Sequence, residues 1–276
     1  MKHIQKIGIQ GIKGSFHHQV ALEYYNKEVL LDECLSFEAV VSSLLNAASD
    51  QAVMAIENSI AGSIIPNYAL IDSNNLHING EFYLDIQQNL MALNNQQIDQ
   101  ISEVHSHPMA LLQCMDFFKN HPHIKLVEDK DTAETAKRIF DNKLVGIAAI
   151  GSKVAADLYN LSIIAPQIQT VNNNRTRFFI ISKNKLEIDK NSINKASVKF
   201  ELDDTPGSLA TVLNVMNNCK LNLTKIQSLP IIETPFKYSF FVDVVFDKYK
   251  HFEKAIKILE LMTTHFKVLG EYKNGN

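Results

Sequence analysis

"LVGIAAIGSKVAADLYNL", residues 144–161, passes from an apolar run through a glycine-serine turn to apolar positions three and four residues apart. Those are the periods of a buried strand and an amphipathic helix, with Gly151 and Ser152 at the join. The same succession recurs along the chain: "KIGIQG" before "IKGSFHHQVALEYYN", "AVMAI" before "ENSIAGSIIPNYALI", "ISEVHS" before "HPMALLQCMDFFKN", and "KLVED" before "KDTAETAKRIFDN". Strands that alternate with helices predict an α/β fold with mainly parallel pairing.

At each join stands a small hydroxyl residue: Ser15, Ser59, Ser106, Thr132 or Ser152. Such a residue caps the following helix or donates to a ligand. Helix N-termini carry free N–H groups and a partial positive charge, and ligands of open α/β sheets bind beyond the carboxyl ends of the strands. Five such joins together point to an anion-binding crevice. Glu57 and Asn58, at the end of "AVMAIEN", add either a cap or a hydrogen-bonding shelf to the same end.

Composition narrows the function. A hydrophobic fraction of 46% and a charged fraction of 21% are ordinary for a folded chain of 276 residues, long enough for two domains. A net charge of −3 with scattered Lys and Arg argues against nucleic acid or an anionic membrane as partner. No run reaches the length of a membrane helix, and the N-terminus lacks the apolar core of a signal peptide. Cys34, Cys114 and Cys219 are odd in number and have no CxxC spacing, which suits reduced thiols in a cytoplasmic protein. "VHSHP" sets His105 and His107 two apart without a third ligand at supporting spacing; a strand-to-helix turn, capped by Ser106 with Pro108 in the first turn, is preferred to a metal site. "GIKGS" is neither a phosphate loop nor GxGxxG, so no nucleotide cofactor is expected.

Residues 183–195 are polar and aperiodic, as a linker is. Beyond them the order strand, helix, strand, strand, helix, strand predicts a ferredoxin-like βαββαβ unit over 196–276, with Thr205-Pro206-Gly207 turning into its first helix.

"NNNRTRFFIIS", residues 172–182, sets polar residues at the mouth of a buried strand. Alternation puts Thr176 and Phe178 on one face, Arg175 and Arg177 on the other. Threonine is a weak acid, so as a proton donor it suits a substrate held rigidly in a reaction already inclined to proceed.

Together, "GIKGSF", "AIENSIAGS", "VHSHPMALLQC", "DTAETA", "AAIGSKVAADLYNL" and "NNRTRF", followed by "TPGSLATVL" and "LTKIQSLP", resemble the monofunctional prephenate dehydratase family, whose catalytic domain precedes an ACT regulatory domain. The resemblance implies decarboxylative dehydration of prephenate to phenylpyruvate, CO2 and water without cofactor or metal. It implies a catalytic domain over 1–182 with two lobes, about 1–76 with 165–182 and 77–164, resembling a type II periplasmic binding protein. A linker over 183–195 and an ACT domain over 196–276 would follow. Thr176 would be the general acid, with Arg177 and Phe178 completing the motif. Glu57, Asn58, Ser106 and Gln113 would line the site, and Ser15, Ser59, Thr132, Gly151 and Ser152 would bind carboxylates. L-Phenylalanine would act at Gly207, Ser208, Leu209, Asn222, Leu223, Gln227, Ser228, Leu229 and Pro230, in a homodimer or homotetramer. Two stretches depart from the family pattern: "QSLP" replaces its usual Glu-Ser-Arg-Pro, and Gln88 stands where histidine is usual, so no acid–base role falls there. The first strand is expected to begin by residue 4, so no chorismate mutase segment is expected before it. Arogenate as substrate, or a non-catalytic amino-acid sensor, are the competing readings.

Overall fold

The glycine-punctuated start of the chain folds as β1 (Lys6–Gln10) and α1 (Phe16–Tyr25), then β2 (Leu30–Cys34), α2 (Phe37–Leu45), β3 (Gln51–Asn58) and the two-residue β4 (Gly62–Ser63). Next come α3 (Ile65–Ser73), β5 (His77–Asp85), β6 (Asn89–Ala92), β7 (Glu103–Ser106), α4 (Pro108–Gln113), α5 (Met115–Phe118) and β8 (Lys125–Glu128). α6 (Thr132–Asn142), β9 (Ile147–Gly151), α7 (Lys153–Leu158), β10 (Ser162–Ala165) and β11 (Arg175–Ser182) complete the alternating region. The last part holds β12 (Lys195–Glu201), α8 (Ser208–Asn218), β13 (Asn222–Pro230), β14 (Tyr238–Val245), α9 (Tyr249–Met262) and β15 (Thr264–Tyr272). This is a computed structural model that describes residues 4–27, 29–231, 234 and 237–275. The ends of two expected C-terminal strands, at Ile232, Pro235 and Phe236, lie outside the described residues.

The chain divides into two units, Met1–Ser63 with Tyr83–Phe178, and Ile64–Phe82 with Phe179–Asn276. In the first, β1 lies between β2 and β3 and pairs parallel with both. A second sheet has the order β10-β6-β9-β7-β8. There β7 is parallel to β8 and β9, while β6 is antiparallel to β9 and β10, so the pairing is mixed rather than mainly parallel. Helices cover both faces of this sheet. Leu111, Cys114 and Phe118 pack with Val104 and Ile150 on one side; Ala136, Ile139 and Ala155 pack with Met91 and Ala149 on the other. Burial on two faces explains why its central strands β6 and β9 are buried along nearly their whole length instead of alternating.

Two expected elements differ. The helix read from 59 onward starts only at Ile65, because β3 turns back through β4, with Glu57 opposite Ser63 and Asn58 opposite Gly62. The helix read across 108–119 breaks at Cys114 into α4 and α5.

In the second unit the order β13-β14-β12-β15 carries α8 and α9, and the helices and sheet share a core of Phe200, Val212, Met216, Val244, Phe252 and Leu259. β12 is antiparallel to β14 and β15, as the βαββαβ order requires, and β5 lies beside β15. Gly270 is required at that contact: a Cβ there would stand 2.2 Å from the Ile78 carbonyl oxygen. Residues 64–82, read from the sequence as lobe material, belong to this unit. The Lys195 ammonium lies 2.8 and 2.9 Å from the two oxygens of Glu81, with side-chain exposures of 3% and 0%. Asp72 accepts from Lys199 at 2.7 Å and Lys267 at 2.9 Å. Burial opposes ionisation of Asp72, but these two ammonium groups outweigh it and hold its carboxyl below the usual range.

Candidate active site

The carboxyl ends of β3 and β7 and the start of β11 bring the polar residues of the first unit together. At the mouth of β11, Asn174 and Thr176 are buried, and Ile86 N–H donates to the Asn174 carbonyl at 2.7 Å. Asn58, ending β3, accepts at Oδ1 from the Ile60 and Ala61 N–H groups, both at 2.9 Å. Its Nδ2 therefore faces the other way and donates to Asn174 Oδ1 at 2.7 Å and Thr176 Oγ1 at 2.9 Å. Asn174 Nδ2 donates to Gln113 Oε1 at 3.1 Å, which also accepts from Gln88 Nε2 at 3.2 Å. With Asn58 donating into its oxygen, Thr176 keeps its own O–H to give, and no acceptor among the described residues takes it. A hydroxyl so oriented is a donor awaiting a departing base.

Both arginines of the motif meet one ring. The guanidinium carbons of Arg175 and Arg177 lie 5.0 and 5.9 Å from the Tyr83 centroid, on the side that alternation assigns them. Arg177 is 3% exposed and lies 3.9 Å from Glu57 Oε2, which places the two charges together at the end of β3. Gln113 and Asn174 also help line a pocket of about 280 Å³, with Ile60, Met109, Leu112 and Val171 among its apolar walls.

Phe178, read from the sequence as a site residue, is 1% exposed and meets the edge of His17 at 5.1 Å between ring centroids. Its bulk belongs to the core and anchors the strand that carries Thr176. His17 Nε2 accepts from the Ala55 N–H at 3.3 Å, and burial pushes its pKa down to about 4. The ring is thus neutral when folded but ordinary, near 6.5, when unfolded. Stability is fully present above about 6.5 and drains as pH falls toward 4, by about 1.4 kcal/mol per pH unit, or about 3 kcal/mol in all. Urea titrations at pH 7 and pH 4 are expected to show this loss in the native chain and to show most of it gone in His17→Phe. Equal pH slopes in the two proteins would contradict it.

The hydroxyl joins fall into different roles. Ser15 caps α1, accepting from His18 N–H at 3.3 Å, and Ser152 caps α7, accepting from Ala155 N–H at 3.0 Å. Ser152 also donates to the Gly14 carbonyl at 2.6 Å. Gly14, at φ +93°, lies so near α7 that a Cβ would meet Ala155 Cα at 3.1 Å. Gly151 extends the group, with its carbonyl accepting from Asn89 Nδ2 at 3.3 Å. Three expected caps are corrected. Thr132 is the first residue of α6, whose cap is Asp131, a carboxylate better matched to the helix dipole. Ser106 is fully buried and donates to the Ile150 carbonyl at 2.9 Å, while His107 Nδ1 caps α4. Ser59 begins no helix; it donates to the Asn173 carbonyl at 3.1 Å and accepts from Arg175 N–H at 2.9 Å, tying β3 to β11. His105 lies 2.8 Å from Glu103 and 3.0 Å from Arg138, so both ring nitrogens are engaged.

Asn174 and Tyr83 are participants that the sequence did not single out, and Gln88, noted there only as a departure from the family pattern, is a third. Asn174 stands in a run of three asparagines that nothing local ranks, and Tyr83 and Gln88 come from a distant strand and loop.

A family model described as prephenate dehydratase matches residues 7–186, which holds every member of this network. The chain belongs to the prephenate dehydratase family. Similar proteins include a bifunctional chorismate mutase/prephenate dehydratase of Buchnera aphidicola subsp. Acyrthosiphon pisum, 33% identical over 95% of this chain and 69% of that one. The arogenate dehydratase/prephenate dehydratase 2 of Arabidopsis thaliana is 34% identical over 97% of this chain and 72% of that protein. In fold the chain is similar to the prephenate dehydratase of Arthrobacter aurescens in complex with L-Phe, with a TM-score of 0.87, 22% identity, and coverage of 98% and 90%. As a prephenate dehydratase family member the chain is a lyase, and its α/β architecture is the family's.

Among the second unit's expected effector residues, Gly207 (φ +83°) precedes α8, with Ser208 and Leu209 in that helix's first turn. Asn222 and Leu223 open β13, and Gln227 to Pro230 close it. Among the described residues β13 is a sheet edge, paired with β14 alone.

Proposed function

We propose that the chain converts prephenate to phenylpyruvate, CO2 and water, with Thr176 protonating the departing hydroxyl. The observation that carries this is the Asn58 Nδ2 donation into Thr176 Oγ1, which leaves the threonine proton to give. As the carbon–carboxylate bond breaks, its electron pair enters the ring, the ring becomes aromatic, and the carbon–oxygen bond electrons leave with the hydroxyl, which takes the proton as water. Aromatisation supplies the driving force, so a positioned weak acid suffices. Glu57 and Arg177 brace the strand ends, and Gln113 and Asn58 hold the donor network. Ser15, Gly151 and Ser152 at the starts of α1 and α7, with Thr132 in α6, lie where a substrate carboxylate is met by helix N–H groups.

Residues 196–276 act as an ACT domain behind a 183–195 linker, with L-phenylalanine as effector at the α8 turn and β13 and with the β13 edge offered to a second copy. The support is the βαββαβ order and the likeness in fold to a chain complexed with L-Phe. The neutral "QSLP" segment makes that control weaker than one with charged residues there.

The test is direct. Purified protein incubated with prephenate or arogenate, with no cofactor, is expected to yield phenylpyruvate from prephenate, and added L-phenylalanine to slow it. A well-folded protein that turned over neither compound would sink the catalytic reading. Turnover of arogenate alone, to phenylalanine, would replace the substrate.

A further inference from the structure

The amide network beside Thr176 runs in one direction only. Two backbone N–H groups, from Ile60 and Ala61, fix the orientation of Asn58, since its NH2 could not face them. Asn58 must then donate to Asn174, Asn174 to Gln113, and the remaining partner of Gln113 Oε1 must also be a donor. That partner is Gln88 Nε2. At its far end, Gln88 Oε1 is buried and has no hydrogen-bond partner among the described residues. Turning the amide over would set Gln88 Oε1 against Gln113 Oε1, acceptor against acceptor, so the unpaired oxygen stays. The buried Oε1 makes no hydrogen bond to the described residues, so what Gln88 gives the network is its N–H to Gln113. Gln88 itself is 3% exposed, and its loop is held by Gln169 Oε1 on its N–H at 2.9 Å and by Ile168 N–H on its carbonyl at 2.8 Å.

We infer that Gln88 is a positioning residue: its N–H to Gln113 secures the end of the amide chain that keeps Asn58 donating to Thr176. This rests on the proposed role of Thr176. With that N–H removed, Gln113 is free to rotate, Asn174 loses its fixed acceptor, and the Asn58–Thr176 contact loses its orientation. Gln88 acts on the placement of the proton, not on the affinity of the site.

Two variants test it. Gln88→Met keeps the length and removes both donor and orphan acceptor; kcat on prephenate is expected to fall about 10- to 100-fold with KM unchanged. The thermal midpoint should hold or rise, because the unsatisfied oxygen has gone. Gln88→Glu carries a donor only when protonated. Its activity is expected to be near native at low pH and to fall as pH rises through the carboxyl pKa, which burial raises; the native chain, with an amide at position 88, is expected to show no such limb. The groups facing position 88 are neutral: Gln113 of α4 and Ile168 and Gln169 of the segment before β11. The charged Asp116 of α5 is held by Lys119 at 2.6 Å. Native kcat in folded Gln88→Met, or a kcat loss matched by a lowered midpoint, would overturn the inference, as would a Gln88→Glu profile parallel to the native one. The Glu profile decides the matter even if Gln88→Met fails to fold. If Thr176→Val keeps native turnover, the catalytic reading falls first, and the two failures are told apart.

Discussion

Thr176→Val is expected to lower kcat on prephenate by about two to four orders of magnitude, the usual contribution of a placed general acid. Valine keeps the branched shape and the strand preference of threonine at a position that is 8% exposed, so β11 and its Phe178 anchor remain. What disappears is the one hydroxyl of the network, whose proton has no acceptor among the described residues. Asn58 still donates to Asn174 after the change, so the site loses one hydrogen bond, a stability cost of about 1 kcal/mol. KM should stay within a few-fold, because the hydroxyl acts on the leaving group as its bond breaks. Thr176→Ser, which restores the O–H without the methyl that restricts its rotation, should recover part of the rate. A folded Thr176→Val enzyme within about ten-fold of the native kcat would place the proton donor elsewhere.

Lys195→Met should destabilise the C-terminal unit by about 3–5 kcal/mol, the range for breaking a buried ion pair by removing one partner. The Glu81 carboxylate would remain buried without the Lys195 ammonium, with the Gly275 N–H at 3.0 Å among its donors. It must then take up a proton or leave the interior, and either is costly at neutral pH. Replacing both residues, as Lys195→Met with Glu81→Leu, should recover most of the loss, since an apolar pair needs no compensation. Denaturant midpoints for the single and double variants measure this. Losses that simply add would mean that the two residues do not act as a pair.

Particular residues show how far the chain could be read before folding. The strand–turn–helix periods around Gly151 and Ser152 located those elements well, because apolar spacing records which face is buried. Ser15 and Ser152 were legible as caps, since a cap depends on three neighbouring residues. Ser106 and Ser59 were not, because a serine hydroxyl serves whichever carbonyl the tertiary structure brings near: Ile150 in one case, Asn173 in the other. That Arg175 and Arg177 share a face followed from strand alternation, but the ring they meet there, Tyr83, came from another strand.

The sequence by itself determined the local elements, the βαββαβ order of the C-terminal stretch and the family, because periodicity and motifs are properties of neighbours in the chain. Only the tertiary structure decided that Ile64–Phe82 belongs with the C-terminal unit, through the Glu81–Lys195 pair 114 residues apart. It alone set the direction of the amide chain from Gln88 to Thr176. That direction begins at two backbone N–H groups, and hydrogen-bond polarity passes from amide to amide only once distant residues are in contact.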